Sequence, residues 1–307
     1  METKNSIQNK IDFAVIISVT DANPNGDPLN GNIPRNNVTD SGDVYGEISD
    51  VCIKRKIRNR LQEMGEKVFV QSDDHYHLEN SDKYDSLQSR AENNEKLQEV
   101  VRSNNSKKGE DKNRIQYIKS YTEAACEQWI DVRAFGQVFA FESTSVGIRG
   151  PVSISIAKSV SPIDIISMQI TKSVNGESGK SGKASDTMGT KNRVDFGLYV
   201  VKGSINCQLA EKTGFSDEDA EKIKEALKTL FENDCSSARP EGSMEVCRGY
   251  WWKHNSKTPA VSTAKVHRSI KITQKEGLKH KPRSFDDYDI TLEKIEGLVE
   301  PEIFGDM

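Results

Sequence analysis

The sequence is poor in cysteine and contains no long hydrophobic run. Its five cysteines are odd in number and include no Cys-x-x-Cys pair, which argues against a disulfide framework or a zinc ribbon and favours a reducing cytoplasm. The apolar run at 13–19 is far too short to cross a bilayer, and no small-residue cleavage site follows it. We therefore expect a soluble, unprocessed, cytoplasmic protein with no membrane partner.

A large excess of charge of one sign is also missing. The chain has 43 Lys and Arg against 47 Asp and Glu, which gives a formal net charge of -4 at pH 7. The overall electrostatic field therefore does not attract nucleic acid. Any such affinity must come from local clusters of basic residues.

Motifs for nucleotide hydrolysis and nucleophilic catalysis are absent as well. The sequence has no Gly-x-x-x-x-Gly-Lys-[Ser/Thr] P-loop, no nucleophile elbow and no kinase signature. Asp73, Asp74, His75 and His77 carry metal-ligating groups, but two histidines two positions apart point to opposite sides of a strand. We expect neither a metal nor another cofactor.

The hydrophobic periodicity predicts an α+β fold. Residues 11–20 have an apolar side chain at every odd position, the period of a strand, and residues 50–65 have the period of an amphipathic helix. Ser216 and Asp219 have the spacing of a capping box at the start of a second helix. Further strands are predicted at 152–156, 194–209 and 244–252. The resulting order, strand, helix, strand, strand, helix, strand, is that of the ferredoxin-like split βαβ unit, which the RNA-recognition fold shares.

Two long insertions interrupt this order. The first, at 66–140, is charged and predicted to be helical, whereas the second occupies 161–193. The centre of the second insertion, at 175–187, has three glycines, three serines and two lysines but only one small apolar residue. Such a segment has too little apolar surface to become ordered alone, so we expect it to become ordered on contact with a partner.

The first predicted helix is strongly basic. Residues 53–60, IKRKIRNR, include five basic residues and no acidic one. Because the apolar positions point inward, Lys54, Arg55 and Arg58 share one flank, which could follow a phosphate backbone. A solvated face with extended basic side chains explains the same pattern.

The loop before this helix, DANPNGDPLNGNIPRN at 21–36, has three prolines, two glycines and five asparagines. Good turn chemistry between a strand and a helix is one explanation. The other is that Asn23, Asn25 and backbone N–H groups face phosphates. An aromatic run at 250–252 could likewise stack on bases, although alternating rings in a strand more often belong to a core.

Charge is segregated near the C-terminus. Residues 257–283 include eight Lys and Arg against one Glu, whereas residues 284–307 include eight acidic residues against one Lys. This segregation favours a binding function for the basic clusters over a uniformly solvated surface.

Several blocks resemble the Cas-seven family of CRISPR interference complexes, and most closely the Cascade backbone subunits of type I-C systems, with type I-B as the near neighbour. In chain order they are DANPNGDPLNGNIPRN followed by DVCIKRKIRN, DVRAFGQVF at 131–139, GIRGPVSIS at 147–155, MGTKNRVDFGLYVVKG at 188–203 and LFENDCSSARPEGS at 230–243. They fall in this order along most of the chain.

The resemblance implies a right-hand architecture. It consists of an RNA-recognition-like palm at 1–65, 141–160 and 194–283, helical fingers at 66–140, a β-hairpin-like thumb at 161–193 and an acidic C-terminal segment at 284–307. Copies of such a subunit polymerise along one CRISPR RNA together with other Cascade subunits, and the guide pairs with target DNA. The implied RNA contacts, added to Asn23 and Asn25, are Lys54, Arg55, Arg58, Met168, Thr171, Lys172, Met188, Lys191 and Arg193.

Two other functions are compatible with the sequence. Backbone subunits of type III complexes resemble this fold and cleave target RNA with an aspartate after the first strand, where this chain has Asp21 and Asp27. A carboxylate beside a phosphodiester can recruit Mg²⁺, so this alternative is chemically sound. A plain single-strand-binding protein would need no repeat-derived guide. We expect the non-catalytic scaffold, because the sequence blocks resemble those of type I systems.

Overall fold

The chain has a mixed α/β fold built on a large antiparallel sheet. The computed structural model describes residues 6–71, 86–106, 113–141, 144–173 and 188–305. Its elements are β1 (Ile11–Ala22), β2 (Gly26–Asp27), β3 (Ile33–Pro34), β4 (Asn36–Val38), β5 (Val44–Ile48), α1 (Asp50–Glu63), α2 (Leu87–Glu92), α3 (Glu95–Ser106), α4 (Arg114–Gln128), α5 (Ile130–Phe135), β6 (Gly136–Phe141), β7 (Thr144–Arg149), β8 (Val152–Ile154), β9 (Ala157–Ser159), β10 (Ile165–Thr171), β11 (Met188–Ile205), α6 (Cys207–Thr213), α7 (Asp217–Lys228), β12 (Met244–Lys253), α8 (Thr263–Arg268), β13 (Ile270–Gln274), a 3-10 turn (Phe285–Asp287), β14 (Tyr288–Leu292) and β15 (Glu302–Gly305). The residues at 73–77, which carry metal-ligating groups but are not expected to bind a metal, and the segment 175–187 lie outside the described residues.

Strand β1 lies at the centre of the sheet. It pairs antiparallel with β11 on one side and with β12 on the other, and β8 pairs with the far side of β11. The four predicted strands therefore lie side by side, and their order across the sheet is 244–252, 11–20, 194–209 and 152–156. Strand β15 pairs with β12 at one edge of the sheet, and β9, β5 and β4 extend the other side.

Helices α1 and α7 pack on one face of the sheet. Ile53 and Ile57 of α1 are fully buried against the odd-numbered side chains of β1 and the apolar face of α7. The Ser49 side chain caps α1, and Ser216 and Asp219 form the capping box of α7. Both predicted helix starts are thus confirmed. Their burial provides most of the stability of such helices, because helix propensity alone is marginal at this length.

The opposite face of the sheet is covered by the C-terminal part of the chain. Ala14 and Ile16 of β1 pack there with Tyr250 and Trp252, under side chains of α8, β13 and β14. Trp251 points to the first core and stacks on Phe13, with ring centroids 5.4 Å apart. The aromatic run is therefore part of the hydrophobic core, and neither face of the central sheet is open to bases.

The insertion between α1 and β8 has a hydrophobic core of its own. Phe69, Tyr121, Trp129 and Phe139 pack together, and the Phe69 and Phe139 ring centroids lie 5.0 Å apart. Side chains of β7, such as Val146, belong to the same cluster. This core therefore continues past residue 140.

One predicted strand was wrong at both ends. The sequence pattern predicted a strand over 194–209, whereas β11 begins at Met188 and ends at Ile205. Asn206 then caps α6, because its Oδ1 accepts from the backbone N–H of Leu209 at 2.9 Å. An asparagine at this position satisfies a free N–H of the first helical turn, so the chain leaves the sheet there.

None of the described helices is long and apolar enough to cross a bilayer.

Replacing Gly249 with alanine should loosen the C-terminal strand. A Cβ atom at this position would overlap the ring of Phe304, which is buried where β15 pairs with β12. Overpacking of this kind costs roughly 1–3 kcal/mol. We expect a lower melting temperature and faster hydrogen exchange at 302–305. The matched control is Gly147→Ala in β7, where the new methyl group has no neighbour within 4 Å; equal effects of the two substitutions would contradict this account.

Candidate nucleic-acid interface

The loop at 21–36 is held in place by its own asparagines. The Asn23 amide donates to the carbonyl of Asn32 at 2.6 Å, and its backbone N–H donates to the carbonyl of Ala238 at 2.9 Å. Asn25 Oδ1 accepts from the backbone N–H of Ser49 at 2.9 Å, which ties the loop to the start of α1. Both amides predicted as phosphate contacts thus have partners within the protein, and Asn23 is only 6% exposed.

The basic flank of α1 is partly exposed and partly built into the fold. Lys54 forms an ion pair with Asp50 at 2.9 Å, and Arg55 is exposed. Lys56 is buried and forms an ion pair with Asp234, and burial lowers its pKa. Arg55 is therefore exposed and Lys54 partly exposed, whereas Lys56 is built into the fold.

Arg58 contacts the insertion rather than solvent. Its Nε donates to Asp131 Oδ2 at 2.9 Å, and its guanidinium lies over the ring of Phe135. Asp131 is 1% exposed and also accepts from the backbone N–H groups of Phe69 and Val70, at 2.7 and 3.1 Å. Arg58 is predicted from the sequence to bind phosphate. In the structure it binds Asp131 instead, and this contact links α1 to the insertion.

Strands β10 and β11 form an antiparallel ribbon, which is defined here by Ile165–Thr171 and the facing residues 188–194. Thr171 lies opposite Met188, and Met168 lies opposite Lys191. Met168 and Met188 are 46% and 66% exposed, and the side chains of Thr171 and Lys191 are exposed as well. Exposed Lys172 directly follows β10. The residues predicted for the second insertion, including Arg193, therefore lie together on or beside one ribbon.

The base of the ribbon contacts the loop at 21–36. Arg193 Nε donates to Asp21 Oδ1 at 2.7 Å, and Asn192 Nδ2 donates to the carbonyl of Gly31 at 3.1 Å. Ser167 donates to Asn192 Oδ1 at 2.7 Å and so holds that side chain. The loop thus contacts the start of α1, which follows it closely in the sequence, and the base of the ribbon, which lies more than 120 residues later.

Known proteins include relatives of this chain. The sequence profile of the family described as CRISPR-associated protein Cas7 matches residues 9–293. The chain belongs to the Cas7 family. A CRISPR-associated protein Cas7 of Haloferax volcanii is 22% identical over 245 residues, which cover 75% of this chain. The aligned region spans 66% of the length of that relative.

Two solved structures resemble this Cas7 chain. One is a CRISPR RNA-guided surveillance complex in a pre-nicking state, with 16% identity, a TM-score of 0.49 and coverage of 84% of this chain and 81% of that chain. The other is a CRISPR RNA-guided surveillance complex with 16% identity, a TM-score of 0.46 and coverage of 88% of this chain and 78% of that chain. The assignment to type I-C or I-B stays a prediction.

A further basic group in this Cas7 chain was not identified from the sequence. The segment that contains Arg239 folds back onto the loop, where Ala238 accepts from the Asn23 backbone, and Arg239 forms an ion pair with Asp234 at 3.3 Å. The segment belongs to the block LFENDCSSARPEGS. The signal in the sequence is an arginine directly before a proline in a serine-containing turn segment.

The two carboxylates considered for catalysis each face an arginine. Asp21 pairs with Arg193 at 2.7 Å, and Asp27 Oδ1 lies 3.5 Å from Arg35. Within the described ranges, no group of three or more His, Cys, Asp or Glu residues is arranged to hold a metal ion. The endoribonuclease alternative needs Asp21 or Asp27 as a metal ligand, and both carboxylates are paired with arginines in this structure.

Proposed function

We propose that this Cas7 chain is the backbone subunit of a type I Cascade complex, with type I-C as the first choice of subtype. Its copies polymerise along one CRISPR RNA, bind the phosphate backbone and present the guide for pairing with target DNA. Other Cascade subunits complete the assembly. The observation that carries this proposal is that the loop contacts both the exposed ribbon and the start of α1, the helix that carries the basic flank. Base pairing reads the target sequence, so the protein needs only to hold the backbone and its shape.

The proposed architecture is a right hand. The central sheet with α1 and α7 forms the palm, and the ribbon with the segment between its strands forms the thumb. The insertion with its own core forms the fingers, which we extend from 66–140 into β7 because the side chains of β7 pack in that core. The division of the remaining chain follows the ranges given in the sequence analysis.

The guide lies at the end of the sheet rather than on its face. An RNA-recognition domain normally stacks bases on the open face of its sheet. Here α8, β13 and β14 cover that face, and Tyr250 and Trp252 are buried beneath them. The exposed groups at the end of β1, where the loop and the ribbon meet, provide the alternative surface.

The proposed contacts divide into two kinds. Lys54, Arg55, Lys172 and Lys191 bind phosphates, and Met168, Thr171 and Met188 meet bases or sugars of an unstacked nucleotide. The remaining predicted residues act by position: Asn23 and Asn25 shape the loop, Arg193 joins the ribbon to Asp21, and Arg58 holds the insertion.

Sequencing of co-purified RNA tests this function. The protein is expressed with its CRISPR array, and bound RNA is extracted at increasing salt. We expect guides of one uniform length that carry repeat-derived ends. Random cellular RNA of mixed length would indicate a general single-strand-binding protein instead and would contradict the proposal.

We also predict that this subunit does not cleave RNA. With Mg²⁺ or Mn²⁺, a guide-loaded complex should leave a complementary RNA intact over hours, because Asp21 and Asp27 are engaged by arginines. Denaturing gel electrophoresis of labelled target RNA measures this. Regularly spaced cuts that disappear in Asp27→Ala or Asp21→Ala would support the endoribonuclease alternative.

A further inference from the structure

A short turn between α7 and β12 connects α1 with the loop at 21–36. It consists of residues 233–239 and is called here the 233–239 turn. Its Ala238 carbonyl accepts from the backbone N–H of Asn23 at 2.9 Å. Because the turn lies about 200 residues after the loop in the sequence, only the tertiary structure brings the two together.

The carboxylate of Asp234 attaches this turn to α1. Its Oδ2 binds Lys56 Nζ of α1 and lies 3.3 Å from Arg239 Nε. The side chains of Lys56 and Asp234 are only 4% and 15% exposed. Arg239 in turn exchanges two backbone hydrogen bonds with Ser236, at 2.8 and 3.0 Å. One carboxylate thus joins a buried lysine of the helix to the arginine that closes the turn.

The loop is therefore attached to α1 at two separate points. The first is direct, because Asn25 Oδ1 accepts from the backbone N–H of Ser49 at 2.9 Å. The second runs through the 233–239 turn to Lys56, which lies seven residues, about 10 Å, farther along the helix. A single attachment would let the loop pivot on the helix, whereas two attachments fix its orientation. The base of the ribbon contacts the same loop.

The charge of Asp234 does not suit a direct contact with the guide. A carboxylate repels phosphates, and Lys56, its partner, is buried and does not reach them. We infer that Asp234 is a positioning residue for guide binding, which fixes the loop and the ribbon relative to the basic flank of α1. This inference rests on the proposed function and extends it to a residue outside the proposed guide contacts.

The test is the substitution Asp234→Asn, which keeps the shape of the side chain and removes its charge. Removal of a negative charge normally strengthens binding to a nucleic acid. We expect the opposite, a roughly five- to tenfold loss of guide affinity, because the arrangement competent to bind is then populated only part of the time. The slope of log affinity against log salt should stay unchanged, because no phosphate contact is removed.

The charge-matched control is Glu232→Gln, one position before the turn. Glu232 also pairs with a basic residue of α1, Arg60, at 2.9 Å, but its side chain is 61% exposed. This variant should bind the guide at least as tightly as the wild type. All affinities are measured well below the melting temperature of each variant, where a residue that only stabilises the fold would leave the affinity unchanged.

Hydrogen exchange reports the position of the loop directly. Without guide, the backbone N–H of Asn23 should exchange faster in Asp234→Asn than in the wild type, because the turn that accepts from it is released. Saturating guide should slow this exchange again, because a ligand shifts the population toward the arrangement that it binds.

A second variant, Lys56→Met, removes the attachment from the side of α1 and leaves the pair of Asp234 with Arg239 in place. Methionine is a straight-chain apolar residue and suits this buried position beside Phe231. We expect weaker guide binding with an unchanged salt slope. A flattened slope would show that Lys56 contacts a phosphate and would contradict the positioning role.

Two further outcomes would overturn the inference. They are wild-type affinity in the folded variants Asp234→Asn and Lys56→Met, and an affinity loss in Glu232→Gln equal to that in Asp234→Asn. If the wild-type protein binds no guide, the proposed function fails and the inference fails with it. If the wild type binds and the two variants bind equally well, the inference alone fails.

Discussion

Reversing the charges of Lys172 and Lys191 together should weaken guide binding on the order of 100-fold, because a hydrogen bond to a charged group contributes about 1.5 kcal/mol or more. Both side chains are exposed, and neither forms an ion pair within the described part of the chain. Their replacement by glutamate removes no contact that the structure shows within the fold. We therefore expect the melting temperature to stay within a degree or two of that of the wild type.

Titrations of a guide RNA at several salt concentrations measure this effect. Each lost phosphate contact should reduce the slope of log affinity against log salt by roughly 0.7 for a single strand. Lys119→Glu with Lys212→Glu is the charge-matched control, because both lysines are exposed on helices outside the proposed site. A control variant that loses as much affinity as the ribbon variant would mean that net charge, and not the ribbon, determines binding.

The substitution Asp131→Ala should destabilise the protein by about 3–5 kcal/mol, because it leaves a largely buried arginine without its counter-charge. The carboxylate accepts from Arg58 and from the backbone of Phe69 and Val70. Its loss therefore frees three donors at the junction between α1 and the insertion. Urea unfolding should show a lower midpoint, or a separate early transition in which the insertion unfolds first.

The matched control for Asp131 is Asp50→Ala on α1. Asp50 pairs with Lys54 at 2.9 Å, but both side chains are partly exposed, and ion pairs of this kind contribute less than about 1 kcal/mol. Equal destabilisation by the two substitutions would show that the Asp131 network does not hold the insertion.

Substitution of Arg58 distinguishes between two roles for this residue, binding a phosphate and holding the insertion in position. The sequence pattern puts Lys54 and Arg58 on one flank of α1, but Arg58→Glu would place a second carboxylate beside buried Asp131. We therefore expect this substitution to destabilise the fold. Arg58→Ala should lower stability and leave the salt dependence of guide binding unchanged, whereas loss of a phosphate contact would flatten it.

Local elements of the fold could be predicted because their causes lie within a few residues. The apolar alternation of β1, the apolar stripe of α1 and the capping box at Ser216 each depend on neighbours in the sequence. The end of β11 was not predicted although its cause is local, because the apolar alternation continues through Cys207 and Leu209 and so favours a longer strand. There the cap provided by Asn206 begins a helix and ends the strand.

The candidate site shows the same division. The sequence by itself determined the basic helix, the asparagine-rich loop and the family blocks, because charge, turn chemistry and motif order are properties of local residue identity. Only the tertiary structure decided which of these groups are exposed. Lys56 and Arg58 share a basic segment with Lys54 and Arg55, yet they form ion pairs with Asp234 and Asp131, which are distant in the sequence, and Lys56 is buried. Leu29 is apolar but exposed, and its residue type alone does not show this, because burial depends on which distant segments pack over a residue.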